Sequence, residues 1–343
     1  MLKSMIFTDY LVLLSFLPFF CSSRLLTERS DVFCRASTNS LKGISMLAII
    51  FLHISMWLEI SSYTIVPVGY LGTGVFFFIS GYGNLDSVNR RAKDPRWLLD
   101  KFRKLYIPFL VAYLFLCAGV SVFVPWFVPK GSAFFINLVT MTLCEELTWF
   151  PKIILLCFVL QWLAACFTSS RSKQVAAVTM SLLFFTLLFR FLQFEPFWYT
   201  SMLCYALGNL ISNSSSAIVK FLWKSRYLRL LVFSILLLLF GFLFVWTVRS
   251  ARIRPQLVSA LLFSLLCYSY TSVFKVSSRL FIWIGKASFE FYVFHICFLQ
   301  IFDHFRFGYP HWIYTVCVLF GTVFAVSLYS YTRNAIITRF KKQ

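Results

Sequence analysis

Charge is scarce in this chain. Asp, Glu, Lys and Arg make up 13% of its 343 residues, and only 12 of them are acidic. A soluble domain carries nearer a quarter. That shortage excludes a soluble enzyme, and a content of 60% hydrophobic residues excludes a disordered chain. Cysteine pairs are missing as well. Ten Cys are scattered, mostly inside apolar runs, and no C-x-x-C occurs. Neither a disulfide framework nor a metal site is indicated. H-E-x-x-H, G-x-S-x-G and nucleotide-binding fingerprints are all absent. The glycines of Gly69-Tyr70-Leu71-Gly72-Thr73-Gly74 make no phosphate loop, because no Lys-Ser/Thr follows them. They and Ser80 read as close helix packing.

What is abundant is apolar sequence. Mean hydropathy is +0.80, with 43 Phe and ten Trp. A spanning helix needs about 20 apolar residues. Candidate spans lie near 43–60, 65–84, 105–126, 149–168, 175–192, 197–213, 228–248, 255–274, 280–302 and 311–332. The pattern predicts an all-α polytopic membrane protein with about ten core transmembrane helices. A further apolar stretch at 5–22 lacks a strong basic start and an A-x-A site. It is an extra helix, a re-entrant segment or an over-extended start. Residues 131–147, with Glu145 and Glu146, read as a short amphipathic or re-entrant piece. The expected organisation is an extension over 1–34, a membrane domain over 35–335 and a basic tail over 336–343.

The formal charge of +20 would suggest nucleic acid in a soluble chain. Here it means basic loops facing the cytoplasm and anionic headgroups, with membrane lipids and no nucleic acid as partners. Lys and Arg cluster in the 85–104 and 214–229 loops and in the tail. Ten spans place all three on one side, so both ends of the core are expected to be cytoplasmic. Arg249, Arg252 and Arg254 are the exception.

At membrane depth, polar residues are costly without a purpose. Lys42 starts the first core helix and His53 sits near its middle. Eleven residues is about three turns, which puts them on one stripe roughly 16 Å apart. Met46, Ile49 and Trp57 complete the stripe. A cation at the mouth and an imidazole half-way across suit a ligand with an anionic head and a reactive tail. The plainer alternative for Lys42 is a snorkelling interface residue. Lys101, Arg103 and Lys104 stand where a loop becomes the third helix. They either fix topology or recognise phosphates on a cytosolic cofactor. His295 is a second buried histidine. Glu290 lies five residues before it, about 140° round the helix, so the two are no facing pair.

Together these islands resemble acyltransferase family 3, the integral-membrane acyltransferases that O-acetylate surface polysaccharides and nodulation factors. That family has a basic residue, ten residues and then His in its first helix, matched by Lys42 and His53. Its F-F-x-x-S-G-[FY] stretch is matched, with one residue of altered spacing, by Phe77-Phe78-Ile79-Ser80-Gly81-Tyr82. Its R-x-x-R-[LI] run ending in Pro is matched by Lys101, Lys104, Leu105 and Pro108. Its W-F island is matched by Trp149-Phe150. Its G-K-x-S-x-x-x-Y-x-x-H run is matched over Gly285 to His295. The resemblance covers about residues 35–335. Lysine stands for arginine at 42, 101 and 104, which keeps charge but loses the planar fork.

The resemblance implies transfer of an acyl group, most often acetyl from acetyl-CoA, to a hydroxyl of a polysaccharide or lipid-linked sugar. It implies a bacterial cytoplasmic membrane. On that reading His53 is general base or transient acyl carrier, with Lys42 beside it. Lys101, Arg103 and Lys104 hold the CoA phosphates. Ser80 and His295 are secondary oxyanion donors, and Glu290 is a further candidate. The rival expectation is an exporter of polysaccharide, because buried charges also mark transport paths.

Overall fold

The structure is a computed structural model and describes residues 23–25, 32–58, 65–91, 94–123, 131–143, 148–222, 224–250, 253–276, 278–303 and 310–341. The stretch at 5–22 and the pair Glu145 and Glu146 lie outside these residues. The chain runs β1 (Ser23–Leu25), α1 (Arg35–Trp57), α2 (Ile65–Arg90), α3 (Pro95–Phe123) and α4 (Ser132–Thr140). It continues through α5 (Trp149–Phe167), α6 (Arg171–Phe191), α7 (Leu203–Leu222), α8 (Arg226–Ser250) and α9 (Ile253–Val273). β2 (Phe274–Val276), α10 (Arg279–Lys286), α11 (Ser288–Asp303) and α12 (His311–Lys341) complete it. β1 and β2 pair antiparallel, Ser23 opposite Val276, and are the only strands among the described residues.

The protein is an all-α polytopic membrane protein. Seven helices are long and apolar enough to cross a bilayer, and the bent pair α10–α11 makes an eighth. α2 and α7 also have spanning length, 26 and 20 residues. They carry more polar residues and pack in the interior, where α2 touches α1, α5, α7 and α9. Several boundaries differ from the sequence reading. The first helix begins at Arg35, so Lys42 lies about two turns inside it and not at its start. α7 and α12 run on to Leu222 and Lys341, past the ends expected at 213 and 332. The third helix begins at Pro95, ten residues before its apolar run, because its first three turns are amphipathic. The span expected from 197 opens with a 3-10 turn at Pro196–Trp198, and its helix begins at Leu203. The span expected over 280–302 is broken by a bend of 78° between α10 and α11.

Glycines set the two closest helix contacts. A Cβ on Gly43 would stand 2.1 Å from the Phe281 carbonyl oxygen, and one on Gly285 would stand 1.8 Å from that of Asn39. α1 and α10 therefore meet backbone to backbone. α2 and α7 do the same: a Cβ on Gly81 or on Gly208 would lie 2.1 Å from the carbonyl oxygen of Tyr205 or Phe78. Without a hydrophobic drive between helices in lipid, such small-residue contacts let backbones approach and dispersion act.

Candidate active site

The site is assembled by α1, α2, α5 and α11. Lys42, Met46 and Ile49 of α1 line a cavity of about 120 Å³. Ser80 and Phe76 of α2, Phe150, Ile154 and Phe158 of α5 and Leu105 of α3 form further walls. Ser288, Phe289 and Tyr292 of α11 complete it. The 78° bend is what brings the start of α11 to this wall. The first turn of a helix has N–H groups without intrahelical acceptors, and its dipole is positive. Lys42 faces the same cavity and has no hydrogen-bond or ion-pair partner among the described residues. The cavity thus combines an unpaired ammonium, a positive helix end and the Ser80 and Ser288 hydroxyls with walls that are otherwise mostly apolar. That donor set fits an anionic group attached to an apolar arm.

Behind the inner wall lie the two histidines. Ile49 is one turn before His53 on α1. Tyr292 lines the cavity and packs edge-on against both imidazoles, its centroid 6.4 Å from that of His53 and 5.8 Å from that of His295. The imidazoles stack at 13° with centroids 5.0 Å apart, and His53 Nδ1 is 2.7 Å from His295 Nε2. Both are buried. His295 Nδ1 is 3.0 Å from the Phe291 carbonyl oxygen. A carbonyl can only accept, so Nδ1 of His295 carries the proton. In a neutral imidazole that leaves Nε2 as acceptor, and His53 Nδ1–H donates to it. The lone pair of His53 is then on Nε2. This chain of two hydrogen bonds fixes the tautomer of the first-helix histidine from a backbone carbonyl.

The other expected residues fall into distinct places. Ser80 lies on the cavity wall with Lys42. Lys101 faces inward: its Nζ donates to Asn84 Oδ1 at 2.5 Å and sits over the rings of Trp97 and Phe158, 5.2 Å and 5.4 Å from their centroids. Asn84 Nδ2 in turn donates to the Tyr205 hydroxyl at 3.2 Å. Arg103 and Lys104 are exposed on the same helix. Glu290 is not with the histidines. It is buried and accepts from Arg333 Nη1 of α12 at 2.7 Å, and the Arg333 guanidinium lies over the Tyr329 ring.

Sequence reasoning missed the histidine pairing, since 242 residues separate its members. Tyr292 and Phe150 were legible as motif positions but without a role, and Asn84 was missed. Helical phase carried a signal for the inward turn of Lys101, which shares a stripe with Leu105 and Pro108.

Residues 35–331 match the family described as an acyltransferase domain. No curated protein and no solved structure matches the chain.

Proposed function

The chain belongs to this acyltransferase domain family, and we propose that it moves an acetyl group from cytosolic acetyl-CoA to a hydroxyl of a surface or lipid-linked carbohydrate. The observation that carries this reading is the buried His53–His295 hydrogen bond beside a cavity whose one ammonium, Lys42, is unpaired. The setting is a multi-pass membrane protein, and a bacterial cytoplasmic membrane with both core ends inside is part of the proposal.

Acetyl-CoA supplies the acyl group as an activated thioester. Lys42 and the start of α11 face its negative end, and Arg103 and Lys104 on the exposed side of α3 meet phosphate. Lys101, held by Asn84, adds charge behind Lys42. His53 Nε2 takes the proton of the attacking hydroxyl as that oxygen bonds to the acyl carbon. The positive charge that develops on His53 is shared through Nδ1–H with His295, whose own Nδ1–H stays donated to the Phe291 carbonyl oxygen. The proton on Nε2 then passes to the departing sulfur as the carbon–sulfur bond breaks. Ser80, on the cavity wall, donates to the transient oxyanion. A general base of this kind contributes about 10²- to 10⁴-fold.

The test is chemical analysis of surface glycans from cells expressing wild type or His53→Ala, with the level of each protein in the membrane measured. Ester-linked acyl groups with wild type and none with an equally abundant variant are the expected result. Unmodified glycan in both, with export changed, would replace this reading by a transporter in which Lys42 and His53 line the path.

A further inference from the structure

A second cavity lies away from the histidines, between α7, α8 and α9. Its volume is about 460 Å³, and its walls include Ile218 and Leu222 of α7, Leu236 of α8 and Leu265 of α9. Ligand sites run from roughly 300 to 1,000 Å³, while packed interiors hold few voids larger than a water. The walls are almost wholly apolar, but Tyr268 and Ser269 also line it. Both are only 3% exposed, and neither hydroxyl has a hydrogen-bond partner among the described residues. A buried hydroxyl without a partner is destabilising, more so where no water enters.

The mouth of this groove is basic. Phe221 lines it, and Lys224 Nζ sits 5.7 Å from the Phe221 ring centroid. Arg226 begins α8 two residues later and is exposed. Arg229 Nη1 donates to the Ser272 carbonyl at 3.0 Å and ties the base of α8 to α9. No Asp or Glu occurs between Glu195 and Glu290, and among the described residues neither Lys224 nor Arg226 has an ion-pair partner. α8 buries none of its apolar window inside the protein. Its outer faces therefore meet hydrocarbon, and the groove beside it is at membrane depth.

We propose that this groove holds one acyl chain of an anionic phospholipid, bound at the basic end of the bundle. The chain lies against Ile218, Leu222, Leu236 and Leu265. An ester carbonyl of the lipid accepts from the Tyr268 or Ser269 hydroxyl. The phosphate sits at Lys224 and Arg226. A bare hydrocarbon would leave the hydroxyls unpaired, and a zwitterionic headgroup would leave the cations unbalanced. This site is independent of the acyl-transfer reaction.

The experiment is reconstitution of the full chain into vesicles of equal parts phosphatidylglycerol and phosphatidylcholine, extraction in mild detergent, and native mass spectrometry of retained lipid. Wild type is expected to retain one phosphatidylglycerol, enriched over phosphatidylcholine about 30-fold, the scale set by two cations at a membrane surface. Leu236→Trp fills the groove and should abolish retention. Lys224→Gln with Arg226→Gln, on exposed positions that leave the fold alone, should keep a lipid but remove the preference. Equal retention of the two lipids by wild type would overturn the proposal. So would a preference that survives the double substitution, or undiminished binding in a monodisperse Leu236→Trp protein.

Discussion

The histidine pair has a direction that separates the roles of its members. On the proposed mechanism His53→Ala removes the base and should lower the transfer rate by about 10²- to 10⁴-fold. His295→Ala removes no base, but it strands the buried Nδ1–H of His53, which costs about 1–3 kcal/mol and frees the ring to change tautomer. The rate constant at saturating acyl donor should fall, with the KM for donor unchanged. His295→Gln offers a carbonyl to the same N–H and should restore part of the loss; equal rates for the Ala and Gln variants would show that the hydrogen bond is not what matters. Lys42→Met should raise the KM for donor instead, because it removes an unpaired charge from the cavity and leaves the histidines in place. The stripe Lys42, Met46 and Ile49 could be read from helical spacing alone. The partner of His53 could not, since Glu290 and His295 offered two candidates on one helix and only the packing of α11 chose between them.

Among the elements, the bent pair α10–α11 and its clamp on α1 organise the site. Gly285→Ala places a methyl 1.8 Å from a backbone carbonyl that cannot swing aside. Overpacking of that kind costs about 1–3 kcal/mol, and the unfolding temperature in detergent should fall accordingly. Gly83→Ala is the control, with nothing within 4 Å of its Cβ, and should leave stability unchanged or slightly raised. The link between α11 and α12 predicts an asymmetry. The Glu290 side chain is 8% exposed and that of Arg333 is 44% exposed. Arg333→Ala leaves a buried carboxylate uncompensated, a loss on the order of 3–5 kcal/mol for fully buried pairs and less at this exposure. Glu290→Gln leaves the guanidinium partly in solvent and should cost less in thermal unfolding. The reverse order would show that the pair is not the tie between these helices. The bend itself was invisible in the sequence. Both halves are apolar, and the break follows from how closely Gly285 meets α1.

At the scale of the molecule, the distribution of Lys and Arg predicts sidedness. Single cysteines placed at Asp94 and Ser225 should react with an impermeant thiol reagent only from the cytoplasmic face, in a background whose native cysteines are replaced. One placed at residue 252 should react from the other face. Labelling of 94 and 225 from opposite faces would overturn the ten-span arrangement. The sequence by itself determined that this is a helical membrane protein, that Lys42, Met46 and Ile49 share one stripe of the first helix, and which loops are basic. Those properties are local: hydropathy, helical period and charge act over one or two turns and need no partner. Only the tertiary structure decided that His295 orients His53, that Lys101 turns inward to Asn84 while Arg103 and Lys104 stay outside, and that Glu290 serves α12. Each of those depends on which helices touch. In lipid that is set by the fit of small residues against backbone and by the need of every buried polar group for a partner, and both join residues far apart in the chain.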